Sequence, residues 1–441
     1  MKIELVYPAS GANAMLRNHA LAVLAGMTPK EHQITLRDDR IKPLDTDRDL
    51  DFSADIAGIT VQTRNSLRGY ELARAYRKKG VKVVLGGIHP TALPDEAIQH
   101  ADAVVVGEAE GLWETILEDV KRGQLKKIYK HKELPVFDTA PKPRWDIFTS
   151  KKYVPMYTAQ ASRGCPFNCE FCSVVPFFGN KLRLRNVSDV IDELKLLKGS
   201  RLLFSDDNIV GKANYTKELL TQLISLKLSW LGQASLHGLK DPETLTLLQK
   251  SGCKGLLIGF ETVNKASLKS CGKSHNNPED YLEMVKRLAD YGIGVMASFV
   301  VGLDQDTPDI FKQIFDFALE SKVYNAIFSI MTPYPGTPLH ERLVRENRLF
   351  NKEWWLEPQP TEYPLYRPLN MTADQLYEGE QWLWKEFYSH SSIWKRFPFA
   401  AGTSLFSLVS YLPMNYIQHG FINKRIAEEK EYYKIHPKIE D

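Results

Sequence analysis

The sequence predicts an α/β protein with a doubly wound parallel sheet at its N-terminus, a second, more open strand–helix array behind it, and a mainly helical C-terminal extension. Three observations carry this. Between residues 1 and 122, five short apolar runs alternate with helical patterns. From Tyr157 a second strand–helix rhythm begins and passes through six units. After about residue 348 that rhythm gives way to crowded aromatics. A chain of 441 residues has room for about three domains.

The N-terminal runs lie at residues 3–7, 33–36, 56–61, 81–85 and 103–106, with helix-like segments near 14–24, 67–79, 95–100 and 112–120. Five strands with intervening helices predict a parallel doubly wound sheet that binds ligands at the carboxyl ends of its strands. Those ends are polar or rich in glycine: residues 8–13, Gln62, Thr63 and Asn65, then Gly86-Gly87-Ile88-His89-Pro90, then Gly107-Glu108. Paired glycines after a strand let a flat ligand approach the backbone, or simply make a tight turn.

Residues 123–155 read as a linker, lysine-rich at first (Lys126, Lys127, Lys130, Lys132) and then punctuated by Pro135, Pro141, Pro143 and Pro155. Such spacing opposes continuous helix or strand. Residues 156–347 form the second array, with strand-like runs at 157–161, 201–205, 229–234, 256–260, 295–301 and 326–331. Helical spacings follow them, for instance Val190, Ile191, Leu194 and Leu197. Six units are too few to close an eight-unit barrel, so a partial (β/α)6 barrel is expected, with every strand's carboxyl end at one mouth.

The first of those mouth segments is SRGCPFNCEFC, residues 162–172, which holds three of the chain's five cysteines in a C-x3-C-x2-C spacing. A disulfide framework fits poorly, because the total is odd and the spacings are very short. A structural zinc site wants four ligands, and no histidine lies in the neighbouring turns. Three thiolates, Cys165, Cys169 and Cys172, suit an iron–sulfur cluster with one iron left open. At the other strand ends stand Asp206-Asp207-Asn208, then 233–237 including Ser235, then Glu261, Gly302 and Pro333-Tyr334-Pro335-Gly336. Any single acid there is as readily a helix cap. Arg183 and Arg185 either contact a carboxylate or cap the next unit. Cys253 reads as a packed small apolar residue, and Cys271 lies in a polar stretch from which a thiol could reach the mouth.

The cysteine loop, with Phe171 just before its last cysteine, resembles the signature of the radical S-adenosylmethionine (radical SAM) superfamily. The wider string QASRGCPFNCEFCSVV resembles the branch with an N-terminal cobalamin-binding domain, and VVLGGIHPTALPDEA followed by VVVGEAEG is similar to those domains. The resemblance implies a Rossmann-like cobalamin-binding fold before a partial radical SAM barrel. It further implies a [4Fe–4S] cluster on the three cysteines, S-adenosylmethionine on its open iron, and an electron donor such as flavodoxin or ferredoxin. On the same grounds Asp207, with Asp206, Asn208 and Ser235, serves the S-adenosylmethionine amino group, Glu261 the ribose, Gly302 the adenine, and Phe171 lies at the same cofactor. Gln62, Thr63, Gly86, Gly87, His89, Gly107 and Glu108 are the corresponding expectations for cobalamin. No Asp-x-His-x-x-Gly motif occurs, so cobalt is expected to lack a histidine beneath it, and His89 reads as a loop or cofactor-edge residue.

Composition is that of an ordinary globular protein, and a net charge of +3 with no basic stripe interleaved with aromatics gives no sign of nucleic acid binding. The opening MKIELVY is too short and too charged for a signal-peptide core, which predicts a cytoplasmic protein. In the extension, 348–441, the aromatics either pack a helix over the barrel or line a pocket for a large apolar substrate. Residues 397–422 carry no Asp, Glu, Lys or Arg, which suits a packed helix, contact with a membrane surface, or a span weakened by Pro398 and Pro413. Among functions, a non-catalytic sensor or structural metal protein has no use for acids at the strand ends. Methylation of an unactivated carbon of a small-molecule substrate is the leading expectation, because a radical alone needs no cobalamin domain. Radical cyclisation or rearrangement is the alternative.

Overall fold

A computed structural model describes residues 1–9, 15–197, 199–358, 362–398 and 405–435, with the side chains of 405–408 left out. Parts of three sequence features therefore lie outside the described residues: the 8–13 turn, the start of the 14–24 helix and residues 399–404 near the start of the 397–422 run.

The first sheet contains β1 (Lys2–Tyr7), β2 (Gln33–Asp38), β3 (Ile56–Thr60), β4 (Lys82–Gly86), β5 (Ala103–Val106) and β6 (Ile128–Lys130). All are parallel, in the order β2-β1-β3-β4-β5-β6. This is the flavodoxin-like form of a doubly wound sheet, with its topological switch between β1 and β3. Two apolar layers cover its faces. Leu21, Val23, Trp113, Ile116 and Leu117 fill one, and Tyr70, Leu72, Ala73, Tyr76 and Ala97 the other. Burial on both sides explains why β1 is almost continuously apolar. Its one internal charge, Glu4, is neutralised by Arg37 at 2.7 Å. The sixth strand comes from the segment read as a linker, where Tyr129 is buried between exposed Ile128 and Lys130. Three residues on a sheet edge need only one inward side chain, too little for a pattern to register.

The second sheet holds β7 (Met156–Ala159), β10 (Arg201–Phe204), β11 (Ser229–Ala234), β12 (Cys253–Glu261), β13 (Gly294–Val301) and β14 (Asn325–Ile330), side by side in chain order and all parallel. With β7 and β14 left as edges, the barrel is open, as six units require. A short antiparallel ribbon, β8 (Ser162–Arg163) with β9 (Arg183–Leu184), stands at the mouth.

The extension is helical over Ala373–Phe387, His390–Lys395 and Leu405–Ile435. Leu376, Leu383, Phe387 and Ile422 join the barrel's own core, and the Trp384 indole donates to the Phe328 carbonyl of β14 at 2.8 Å. The packed-helix alternative therefore describes this helix, although Trp382 remains half-exposed. Among the described residues no helix is long and apolar enough to cross a membrane.

Candidate active site

The cysteine loop leaves β8 through Gly164, whose φ of +87° only glycine adopts readily. A Cβ there would also sit 2.5 Å from the Lys181 carbonyl oxygen, so the ribbon and the loop are pressed together. Asp206, at the end of β10, anchors the start of this segment. Its fully buried carboxyl accepts from the Ala161 N–H at 3.0 Å and from the Ser162 hydroxyl at 2.6 Å, and burial pushes its pKa up to about 7. Asp207 accepts from the Gly164 N–H at 3.2 Å, and burial raises its pKa as well. Asn208 and Ser235 pair with each other, carboxamide to backbone and to hydroxyl, each at 3.0 Å.

All three cysteines are free thiols within the loop. Burial raises each thiol, Cys169 to about 12, while the Lys273 ammonium pulls all three the other way. Peptide N–H groups of Phe167 and Val174 donate to the Cys165 and Cys172 sulfurs. Among the described residues no three His, Cys, Asp or Glu side chains converge as a single ion would need. Thiols spread along a loop, sheltered and supplied with N–H donors, fit a larger multi-iron cluster. From behind, the loop is held by the Glu170 N–H donating to the Cys271 carbonyl at 3.1 Å, by Glu170 paired with Arg342 at 2.7 Å, and by Phe167 stacked on His275 at 3.6 Å. Cys271 is itself buried, and its thiol donates back to the Leu268 carbonyl at 3.5 Å. Cys253 is a buried first residue of β12, as its packing role requires.

Glu261 ends β12 at a bulge with φ of +64°, a conformation that costs a non-glycine residue about 1–2 kcal/mol. Its buried carboxylate is ion-paired to the buried Lys273. No strand-end pattern in the sequence marks Lys273, because this cation arrives on a later loop, after the helix Lys265–Ser270. Gly302 follows β13. Its carbonyl accepts from the Tyr366 hydroxyl at 2.6 Å and its N–H donates to Asp306 at 3.1 Å. Phe171 packs partly buried against the barrel core.

On the facing domain, Gln62 and Thr63 open the short turn Thr63–Asn65 after β3, and the Asn65 carboxamide donates to the Pro8 carbonyl at 3.0 Å across the switch point. Thr91 ties the other two turns together. Its hydroxyl donates to the Gly87 carbonyl at 2.8 Å and accepts from the Gly107 N–H at 2.9 Å, while Gly86 ends β4. Two expectations change here. His89 is not in a loop: it lies in the helix Ile88–Ala92, fully buried, with Nε2 3.0 Å from both the Tyr70 hydroxyl and Glu96. Glu108 turns its carboxylate to Arg163 and Arg183 on the β8–β9 ribbon. Arg183 and Arg185 both contact carboxylates, the latter Asp189 at 2.5 Å and Glu193 at 2.9 Å.

The carboxyl ends of the two sheets therefore face each other. Besides the Glu108 pairs, Arg64 from the β3 turn reaches Glu362 at 3.0 Å and the Thr332 hydroxyl beyond β14 at 3.5 Å. Trp355 donates to Glu96 at 2.9 Å, pinning the start of the extension to the first domain.

Comparison with known proteins accounts for this pairing of sheets. Residues 160–318 match the radical SAM superfamily and residues 15–117 the B12 binding domain. The chain is 32% identical over 398 residues to bacteriochlorophyllide d C-12(1)-methyltransferase of Chlorobaculum tepidum, covering 88% of this chain and 85% of that protein. The chain belongs to the cobalamin-dependent radical SAM methylase family. A second relative in the same organism, bacteriochlorophyllide d C-8(2)-methyltransferase, is 32% identical over 76% of this chain and 78% of its own. In fold, this methylase is similar to the cobalamin-dependent S-adenosylmethionine radical enzyme OxsB, with a TM-score of 0.68 at 15% identity, over 99% of this chain and 75% of that one. Membership assigns the methylase its cofactors: a [4Fe–4S] cluster, S-adenosylmethionine and cobalamin.

Proposed function

We propose that this enzyme methylates an unactivated carbon of a large apolar small molecule, of the tetrapyrrole class named for its 32%-identical relatives. The observation that supports the reading is the contact between the strand-end turns of the first sheet and the mouth of the second, through Glu108 with Arg163 and Arg183 and through Arg64 with Thr332. When bound, the cluster with S-adenosylmethionine supplies a 5'-deoxyadenosyl radical, and cobalamin carries a methyl group drawn from a second S-adenosylmethionine.

The chain's own part is to hold and to shelter. Cys165, Cys169 and Cys172 hold the cluster. Asp207 offers a carboxylate to the S-adenosylmethionine ammonium, a charge-assisted contact, while Asp206, Asn208 and Ser235 brace the loop behind it. Glu261, ion-paired to Lys273, accepts from the ribose hydroxyls, and Gly302 and Phe171 face the remainder of that cofactor. Gln62, Thr63, Gly86, Gly87 and Gly107 line the opposite wall for cobalamin, and no histidine ligates the cobalt from the protein. An electron donor of the flavodoxin or ferredoxin type reduces the cluster. Exposed Val409, Met414, Ile417 and Phe421 share one face of the helix Leu405–Ile435, which supports collection of an apolar substrate at a membrane surface.

The test is anaerobic reconstitution with methyl-labelled S-adenosylmethionine and a bacteriochlorophyllide. Each product molecule should carry one labelled methyl, with one S-adenosylhomocysteine and one 5'-deoxyadenosine, and the triple Cys165, Cys169, Cys172→Ala variant should lose iron and form no 5'-deoxyadenosine. A product without an added methyl, made without S-adenosylhomocysteine, would replace methylation by cyclisation or rearrangement.

A further inference from the structure

Four buried or largely buried charges sit between the two domains: Glu108 and Glu110 after β5, and Arg163 and Arg183 on the β8–β9 ribbon. Glu108 lies between the arginines: Arg183 donates to both of its carboxylate oxygens and Arg163 to Oε2, and its side chain is 2% exposed. Arg163 spends its guanidinium fully. One terminal nitrogen donates to Glu108, the other to Glu110 at 2.5 Å, and Nε donates to the Gln160 carboxamide at 2.8 Å. The Phe137 ring covers its face at 4.1 Å.

A buried ion pair is a poor source of stability, because desolvating the charges offsets most of their attraction. What such a cluster does supply is a single geometry: Arg183 forks both terminal nitrogens onto Glu108, while Arg163 divides its fork between Glu108 and Glu110. Its position in the chain shows which geometry is set. Arg163 is bonded to Gly164, which leads directly into Cys165. Glu108 is bonded to Gly107, whose N–H is held by Thr91 together with the Gly87 turn. One ion pair thus ties the innermost turn of the first domain to the root of the cysteine loop.

We propose that Glu108 and Arg163 are positioning residues that fix the spacing between the cobalamin-side turns and the cluster loop. The inference rests on the reading that both cofactors serve one substrate carbon. That chemistry makes spacing consequential, because displacement of a reacting group by about 1 Å can cost a factor on the order of 100 in rate.

The experiment is a pulsed dipolar electron-spin measurement on holoenzyme reconstituted with cluster and cobalamin and reduced so that both centres are paramagnetic. Wild type, Glu108→Gln and Arg163→Lys are compared, each with its iron and cobalamin content measured. Glu108→Gln keeps the side chain's size, and Arg163→Lys keeps the charge while removing the planar fork that reaches Glu108 and Glu110 together. Wild type should give one narrow distance, and both variants should lose that single peak while retaining both cofactors. A change in folding stability alone would leave the peak in place. Variants that match wild type would overturn the positioning role, and loss of cobalamin from Glu108→Gln alone would make Glu108 a cofactor contact instead. Wild type that binds both cofactors yet shows no dipolar coupling would overturn the shared-cleft reading itself.

Discussion

Asp206 offers a test in which the pH profile, rather than a single stability, carries the answer. Its folded-state pKa is pushed up by burial from an ordinary 3.8 to about 7, against the opposing pull of the Ser162 and Ala161 donors. The folded chain therefore keeps a proton on Asp206 across a window in which the unfolded chain has released it. Stability from this group is fully present below pH 3.8 and is lost as pH rises towards 7. Roughly three pKa units at 1.36 kcal/mol each make the loss about 4 kcal/mol. Asp206→Asn is neutral at every pH and of nearly the same size. Its oxygen can still accept from Ala161, and its amide can donate to the Ser162 hydroxyl, so the starting penalty is about 1 kcal/mol. Urea unfolding of the apoprotein at pH 5 and pH 7.5 should then show the variant gaining on wild type by about 2.5 kcal/mol as pH rises, the part of the loss that falls between those two values. Parallel profiles for the two proteins would refute the assignment of a proton to Asp206, and so would a variant that falls further behind at high pH.

Two further outcomes follow from side chains whose surroundings are known. Gly302→Ala forces an L-residue into a left-handed conformation and places its Cβ 2.4 Å from the Tyr366 hydroxyl and 2.6 Å from Leu376. Backbone strain and overpacking together should cost about 3 kcal/mol in thermal unfolding, partly recovered by adding Tyr366→Phe, and a cost below about 1 kcal/mol would contradict the packing described. His89→Ala should destabilise the first domain by about 1–2 kcal/mol through its lost partners Tyr70 and Glu96, yet leave the cobalt spin spectrum of bound cobalamin unchanged. Disappearance of a nitrogen coupling in that spectrum would make His89 the axial ligand.

Local pattern was enough to place most strands. Runs such as 295–301 and 229–234 match β13 and β11 to within a residue, because every second side chain along each strand is buried. The C-x3-C-x2-C loop was equally legible, since all three ligands lie on one turn of chain and need no tertiary contact to be recognised. By itself, then, the sequence determined the two parallel sheets and the family, and it put the three loop cysteines forward as cluster ligands. The tertiary structure decided what each isolated polar residue is for. Glu108 stood in a motif that pointed to a cofactor, yet its carboxylate is spent on Arg163 and Arg183, residues 55 and 75 positions away. Lys273 had no spacing that linked it to Glu261, and β6 was too short to carry a period. A buried charge is explained by whatever neutralises it, and that partner is chosen by the fold across a distance that no local window of sequence contains.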